Sequence, residues 1–296
     1  MWPLGRMYYT APSKALQALP GQRVLITGAA RGIGAATAKR LHGRGCKVVL
    51  AGIEPDLLAQ VAADCCDSLA VTCDVRDRRQ VEAAVDAAVT RLGGLDVVIA
   101  NAGVAALTPI AGGDPEIFQR TIDVNLIGVY NTLRAAAPHI SHDRGYALAI
   151  ASLAAAVQPP LMGAYSAAKA GVEALANTLR IELGPSGARV GVAYFGELDT
   201  DMVSRGFGTR SAAALRFFNK GPFTGVSPLE VGIEAIERGV GLRSRIVVAP
   251  RSVAFALHTR MFAQRVVDRA ARRGLEEALE IAREEHAPLT TELPIR

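Results

Sequence analysis

Hydrophobic positions along this 296-residue chain follow two alternating patterns. Short, continuous apolar runs are typical of strands buried on both faces, and apolar residues three or four positions apart are typical of amphipathic helices. The runs predict seven strands, over residues 24–27, 47–51, 69–73, 96–100, 145–151, 189–194 and 245–248. The helical pattern predicts helices over residues 33–44, 55–63, 78–92, 115–137, 162–183 and 228–237.

The alternation of strands with helices predicts an α/β fold built on a parallel, doubly wound sheet. In such sheets, ligands bind beyond the carboxyl ends of the strands, near the point where the strand order reverses. Gly28, Asp74, Asn101 and Ser152 lie at or just after the ends of predicted strands. We therefore expect these four residues at one edge of the sheet.

Composition adds limits to this fold. Half of the residues are hydrophobic, only 5% are aromatic, and the net charge is +5. No apolar run is long enough to span a membrane, and no basic stripe with aromatic residues indicates nucleic acid as a partner. The four cysteines lack metal spacing, so we expect reduced thiols in a cytoplasmic protein without a metal site. We expect an irregular arm over 1–20, one domain over 21–250 and a helical extension over 251–296.

A glycine-rich turn follows the first predicted strand, and the sequence from Gly28 to Gly34 reads GAARGIG. Glycines let the backbone turn tightly and approach a ligand closely. The amino terminus of the following helix offers free N–H groups and a positive dipole end to a phosphate. A turn between a strand and a helix is the context of dinucleotide binding, although an ordinary strand-to-helix turn shares it.

A tyrosine and a lysine four residues apart, Tyr165 and Lys169, follow Ser152 by thirteen and seventeen positions. On a helix this spacing places the lysine beside the tyrosine. An ammonium group lowers the pKa of a neighbouring phenol, which is otherwise about 10. Ser152 can then bind an oxygen that exchanges its proton with the tyrosine. The same spacing also arises by chance on amphipathic helices. Ser166, the neighbouring serine, points about 100° away from Tyr165 on a helix.

These motifs occur together with the sequences Cys73-Asp74-Val75 and Asn101-Ala102-Gly103 and with Asn125. In this order and spacing the chain resembles the short-chain dehydrogenases/reductases, in their compact single-domain branch, over roughly residues 21–250. The resemblance implies a Rossmann-type doubly wound parallel seven-stranded sheet flanked by helices on both faces. It also implies an NAD(P)-dependent oxidoreductase that interconverts a carbonyl and an alcohol.

The resemblance assigns roles to four residues. Tyr165 is the expected general acid or base, and Lys169 lowers its pKa and holds the nicotinamide ribose. Ser152 binds the substrate oxygen, and Asn125 anchors a water in a proton relay. The expected cofactor contacts, besides Tyr165 and Lys169, are Gly28, Arg31, Gly32, Ile33, Gly34, Asp74, Val75, Asn101, Ala102, Gly103, Leu198 and Thr200.

The end of the second strand bears on the choice between NAD and NADP. NAD-dependent members of the family often carry an acid there, whereas this chain has Gly52, with Glu54 two positions later. Without that carboxylate a 2′-phosphate meets less repulsion, and Arg31 can pair with it. We therefore expect NADP, with two alternatives left open: that Arg31 faces solvent and that Glu54 swings toward the ribose.

One motif departs from the family pattern. The resemblance leads us to expect Pro-Gly after the sixth strand, but the chain has Phe195-Gly196. A phenylalanine facing the nicotinamide end could narrow the substrate site. The following segment, about 200–225, is the expected substrate lid, and its apolar residues indicate a lipophilic substrate or simply packing on the domain. These apolar residues are Met202, Phe207, Leu215, Phe217 and Phe218.

The extension contains an apolar stripe of Phe255, Phe262 and Val266 and a basic stripe that includes Arg265 and Arg269. Such a helix can lie on a membrane surface, but covering the domain or a subunit interface is the preferred interpretation. The helices over 115–137 and 162–183 resemble the family's pairing helices, so a homodimer or homotetramer is expected.

The function predicted from the sequence is the interconversion of a carbonyl and a secondary alcohol on a small lipophilic molecule. A non-catalytic dinucleotide-binding sensor or scaffold on the same fold is the alternative. An epimerase or dehydratase of the related longer-chain branch is a second one, although its glycine spacing differs and its substrate domain is larger.

Overall fold

A seven-stranded sheet forms the centre of the computed structural model, which describes residues 12–215, 225–285 and 287–294. The strand order is β3-β2-β1-β4-β5-β6-β7, and every neighbouring pair is parallel. The strands are β1 (Arg23–Thr27), β2 (Lys47–Gly52), β3 (Leu69–Thr72), β4 (Val97–Ala100), β5 (Tyr146–Ile150), β6 (Arg189–Phe195) and β7 (Ile246–Ala249). The predicted α/β fold class and all seven strands are confirmed, with each end shifted by at most one residue.

Helices cover both faces of the sheet. The described α-helices are α1 (Pro12–Gln17), α2 (Gly32–Gly43), α3 (Pro55–Asp64), α4 (Arg78–Leu92), α5 (Pro115–Ile122), α6 (Gly128–Ala136), α7 (Gly163–Glu182), α8 (Asp201–Phe207), α9 (Arg210–Ala214), α10 (Leu229–Leu242), α11 (Ser252–His258), α12 (Arg260–Ala270) and α13 (Leu275–Glu285). One core cluster joins the sheet to α4, α6 and α7. A second cluster joins its other face to α2, α3 and α10. The chain is therefore doubly wound, and the strand order reverses between β1 and β4.

Two predicted elements differ in the structure. The segment expected to be an irregular arm contains α1, which packs on α10 through buried Ala15. The helix expected over 115–137 is interrupted by a π-helical turn, Asp123–Ile127, between α5 and α6. π-turns inside helices are often found at functional sites, and this turn carries Asn125.

The extension beyond the sheet builds a small core of its own. Buried residues of α12 and α13 pack with Leu215 at the end of α9 and with Val157 and Leu161 after β5. The predicted apolar stripe is wrong, because Thr259 separates Phe255 on α11 from Phe262 on α12 and both side chains are more than 60% exposed. The buried face of α12 consists of alanine and valine instead. Every helix among the described residues is too short or too polar to span a membrane.

Candidate active site

The glycine-rich turn places backbone without side chains at the carboxyl edge of the sheet. Gly28 has a φ of +65°, and a Cβ there would lie 2.7 Å from Ala102 Cα. A Cβ at Gly34 would collide with the carbonyl oxygen of Gly28, so the start of α2 packs directly on the turn. At Gly32, with a φ of +53°, the nearest atom to a Cβ would be Thr200 Cγ2 at 3.9 Å. Packing leaves no room for a side chain at Gly28 or Gly34, while the space beside Gly32 is open, as a phosphate cradle requires.

Asn101 fastens this turn to the segment after β4. Its side-chain amide donates hydrogen bonds to the carbonyl oxygens of Thr27 (2.9 Å) and Gly28 (3.1 Å). Its backbone N–H donates to the Thr27 hydroxyl at 3.1 Å. The predicted cofactor residue Asn101 therefore also has a structural role that its sequence position did not reveal.

Asn125 lies in the π-helical turn and is fully buried. Its side chain accepts a hydrogen bond from the backbone N–H of Val104 at 2.8 Å and donates one to the Val104 carbonyl at 2.7 Å. A Cβ at Gly103 would lie 2.9 Å from Asn125 Oδ1 and 3.6 Å from Lys169 Nζ. The amide thus holds the loop after β4 beside the lysine.

Ser152, Tyr165 and Lys169 come together where β5 ends and α7 begins. Lys169 is buried, its ammonium donates to the carbonyl oxygen of Ile150 at 2.8 Å, and it lies 5.5 Å from the centroid of the Tyr165 ring. The Ser152 hydroxyl accepts from the N–H of Ala154 at 3.2 Å and donates to the carbonyl oxygen of Phe195 at 3.4 Å. The helical spacing of four residues thus places the lysine beside the phenol, as predicted.

Burial changes the proton affinity of both groups. It raises the pKa of the Tyr165 phenol, and the hydrogen bond with Ser152 opposes this rise. Burial lowers the pKa of the Lys169 ammonium to about 8. The pKa of the phenol is therefore raised in this structure and not lowered as expected, because burial favours the neutral form.

One cleft at the carboxyl edge contains most of the residues that the sequence singled out. Its empty volume is about 1270 Å³, solvent at the mouth included. The predicted residues that line it are Gly28, Arg31, Gly32, Ile33, Asp74, Val75, Asn101, Ala102, Gly103, Ser152, Tyr165, Lys169, Leu198 and Thr200. Gly34 is buried within α2, and Asn125 lies behind the loop that it supports.

Comparison with known proteins decides the family. The short chain dehydrogenase family model matches residues 22–210, more than half of the chain. This chain belongs to the short-chain dehydrogenases. The comparisons make it an oxidoreductase of this family, whose members bind NAD or NADP.

Individual relatives add detail. Over 190 residues the chain is 38% identical to a glycine betaine reductase of Emericella nidulans, a match that covers 62% of this chain and 15% of that protein. It is 36% identical over 202 residues to the (-)-trans-carveol dehydrogenase of Rhodococcus erythropolis, covering 62% and 73% of the two chains. A short chain dehydrogenase from Mycobacterium paratuberculosis, solved with NAD bound, has 28% identity and a TM-score of 0.66 over 78% of this chain and 97% of that one.

At one end of the cleft of this dehydrogenase lies Asp74, expected at the adenine. Arg76 binds its carboxylate through Nε and Nη2, with contacts of 2.6–3.0 Å, and both side chains are nearly buried. The same guanidinium donates to the carbonyl oxygen of Pro294 at 2.8 Å. Asp74 is therefore an ionic anchor as well as a wall of the cleft.

Arg31 is not free in the structure. Its Nε donates to Glu54 at 2.9 Å, its Nη2 contacts the same carboxylate, and Asp201 lies 3.6 Å away. Arg31 lines the cleft and does not simply face solvent, and the Glu54 carboxylate that pairs with it lines the same cleft. Both carboxylates line the cleft and were not predicted there as a pair.

Phe195 extends β6 by one residue and pairs with Ala249 of β7. Its side chain is only 4% exposed and packs in the second core cluster with Leu198, while the residue also contributes to the wall of the cleft. Thr200 caps α8 through a 3.4 Å contact with the N–H of Val203. In the expected lid, α8 and α9 are described, and Phe217 and Phe218 lie outside the described residues.

Three residues near the carboxyl end of the chain, Thr290, Thr291 and Leu293, also line the cleft. No local pattern predicts these three residues at the site, because no helical or strand periodicity covers this segment. They lie beyond the residues matched by the family model.

Proposed function

We propose that this dehydrogenase interconverts a ketone and a secondary alcohol, with NADP(H) as cofactor and Tyr165 as the proton donor or acceptor. The arrangement that supports this is the meeting of Ser152, Tyr165 and Lys169 with the glycine-rich turn in one cleft. A proton-transfer group and a phosphate cradle then face the same space, which suits a paired transfer of hydride and proton.

The proposed roles follow from the geometry. When bound, the nicotinamide supplies or accepts the hydride. In reduction, the Tyr165 hydroxyl donates its proton to the substrate oxygen, and in oxidation the phenolate removes it. Ser152 donates a hydrogen bond to that oxygen as charge develops on it. The Lys169 ammonium stabilises the phenolate, and Asn125 holds the loop that carries Gly103 against the lysine.

The cofactor itself is proposed to lie along the cleft from Asp74 and Val75 to Leu198 and Thr200, crossing the glycine-rich turn near Gly32. NADP is proposed because Gly52, which ends β2 on the cleft, carries no carboxylate and the nearby carboxylate of Glu54 is already paired with Arg31. A 2′-phosphate would take the guanidinium of Arg31 from Glu54, exchanging one ion pair for another.

A lipophilic substrate is proposed from the apolar wall of the cleft, which includes Val104, Met202 and Val203. The relative from Rhodococcus erythropolis is named for carveol, a cyclic secondary alcohol. Alicyclic ketones of similar size are therefore the first substrates to test.

The test combines binding and turnover. NADPH and NADH are titrated by fluorescence, and oxidation is then followed with a panel of alicyclic ketones. We expect NADPH binding and turnover, with Tyr165→Phe reducing turnover about a thousandfold while binding persists. Tyr130→Phe, a change at an exposed tyrosine on α6, is the matched control. Binding without turnover of any ketone or alcohol would favour the sensor alternative.

The cofactor preference has its own test. Arg31→Gln is expected to weaken NADPH binding about tenfold or more, the loss of a charged hydrogen bond, and to leave NADH binding within about twofold. Equal weakening of both cofactors would contradict the proposed phosphate contact.

A homodimer or homotetramer is also proposed. The α5–α6 segment exposes Phe118 and Ile127, and α7 exposes Ile181. Apolar side chains on neighbouring helices suit an interface between copies of the chain. Sedimentation of the purified protein, with Ile181→Glu as the disrupting variant, measures this.

A further inference from the structure

The segment Ala287–Pro294, here called the carboxyl-terminal strap, runs across the cleft. The exposure of its side chains differs from residue to residue. Thr290 is 4% exposed, Thr291 and Leu293 are half-buried, and Glu292 is exposed. The three buried or half-buried residues line the cleft, whereas Glu292 points to solvent.

Thr290 fixes the middle of the strap. Its N–H donates to the carbonyl oxygen of Ala105 at 2.9 Å, and its hydroxyl accepts from the N–H of Ala105 at 3.0 Å. Its own carbonyl accepts from Arg205 of α8 at 3.2 Å. Ala105 directly follows Val104, whose backbone is held in the same two-sided way by Asn125.

The far end of the strap is fixed at the opposite end of the cleft. The carbonyl oxygen of Pro294 accepts from Arg76, and the same guanidinium binds the carboxylate of Asp74. Leu293, between these anchors, and Leu289, just before Thr290, pack against the first core cluster. The strap therefore reaches from α8, near Thr200, to the residue expected at the adenine.

We propose that the carboxyl-terminal strap is part of the dinucleotide-binding site, with Thr291 and Leu293 in direct contact with the bound cofactor. This inference rests on the proposed function. The strap lies over the groove that a dinucleotide spanning Asp74 to Thr200 must occupy. Entry and release of the cofactor then require the strap to lift, and its anchors at Ala105 and Arg76 slow both steps.

Two kinds of substitution separate anchoring from contact. Thr290→Val keeps the shape of the side chain but removes the acceptor for Ala105, whereas Thr290→Ser retains it. Leu293→Ala removes an apolar contact only, since a leucine side chain makes no hydrogen bond. Glu292→Gln alters the exposed position of the same segment and is the matched control.

The decisive measurement is the dissociation rate of NADPH, followed by stopped-flow fluorescence after displacement with excess NADP. We expect release about tenfold faster in Thr290→Val, from the loss of a buried hydrogen bond. In Leu293→Ala we expect it about fivefold faster, from the loss of apolar contact. Thr290→Ser and Glu292→Gln should release within about twofold of the wild-type rate, and circular dichroism verifies that each variant folds.

Amide hydrogen exchange in the unmodified chain gives an independent readout. NADPH should slow exchange of the backbone amides over 289–293 if the cofactor lies beneath them. Unchanged exchange in this segment, or wild-type release from Leu293→Ala, overturns the proposal. Slower release or tighter binding after removal of residues 286–296 also overturns it, since the strap would then compete with the cofactor. If no dinucleotide binds to the wild-type chain, the proposed function fails instead.

Discussion

The two edges of the sheet each bury an ionisable group, but they treat it in opposite ways. At the amino edge, just before β4, Asp96 is fully buried. Arg23 surrounds its carboxylate with a backbone N–H at 3.0 Å, Nε at 2.9 Å and Nη2 at 2.8 Å. Burial alone would raise the pKa of Asp96, but the hydrogen bonds and charge of Arg23, together with the charge of Arg144, hold it below its ordinary value.

At the carboxyl edge, Lys169 is equally buried but has no carboxylate partner among the described residues. Its ammonium has one hydrogen bond, to a neutral carbonyl, and burial lowers its pKa to about 8. A buried charge without a partner costs stability, while a paired one can balance its desolvation. The carboxylate of Asp96, which holds strands together, thus has a counter-charge. The ammonium of Lys169, beside the proposed proton donor, has none among the described residues, as is common at functional sites.

Removal of the buried lysine should have the largest effect. Lys169→Met should lower kcat/KM about a thousandfold, because the proposed phenolate loses its stabilising charge. The substituted side chain is apolar and of similar length, so the variant should still fold. Steady-state kinetics with the best ketone measures the loss, and a loss below about tenfold would contradict the role of the ammonium.

At the other edge, the corresponding change affects stability and leaves catalysis intact. Asp96→Asn should lower the free energy of unfolding by about 3 kcal/mol, since it leaves the partly buried Arg23 without its counter-charge. Urea denaturation at pH 7 measures this. Glu82→Gln, which breaks an exposed pair with Arg134, is the control and should change little. A marked loss of kcat in folded Asp96→Asn would show that the two edges are not independent.

The sequence predicted the strands and the proposed catalytic residues for a physical reason. Parallel strands buried on both faces leave continuous apolar runs, and the spacing of Tyr165 and Lys169 places them together on any helix. The strap carries no such local signal, because Thr290 is positioned only by tertiary contacts with Ala105 and Arg205. The ion pair of Arg31 with Glu54 likewise depends on how α2 and β2 meet, and local pattern does not report it.

The cost of burying Lys169 should appear as a pH dependence of stability. The ordinary lysine pKa is 10.5, and in the folded protein it is about 8. Between these values the unfolded chain binds more protons than the folded one, so this lysine makes stability rise with pH. Below pH 8 both states are protonated, and the cost of the buried charge is fully present.

Lys169→Met removes this cost. The variant should therefore be more stable than the parent at pH 7, by at most about 3 kcal/mol, and the difference should shrink from pH 8 to pH 10. The parent and the Lys169→Met variant should both also carry Tyr165→Phe, because this removes the titration of the neighbouring phenol. Urea denaturation across this range gives the difference, and a gap that widens with pH would reverse the sign and contradict the argument.

The smallest expected effect distinguishes the partners of Asp96 from one another. Arg144 approaches the carboxylate at 3.7 Å, but its side chain is 60% exposed, whereas that of Arg23 is 27% exposed. Arg144→Gln leaves its backbone carbonyl free to accept from Arg243, so only the side-chain charge is lost. We expect a destabilisation of about 0.5 kcal/mol or less, which 0.5 M salt should abolish.

Arg23→Gln should lower the free energy of unfolding several times more than Arg144→Gln, and salt should not abolish this loss, because the hydrogen bonds of Arg23 to Asp96 are short and shielded. Equal losses in the two variants would mean that long-range charge, and not the enclosed hydrogen bonds, compensates the buried carboxylate.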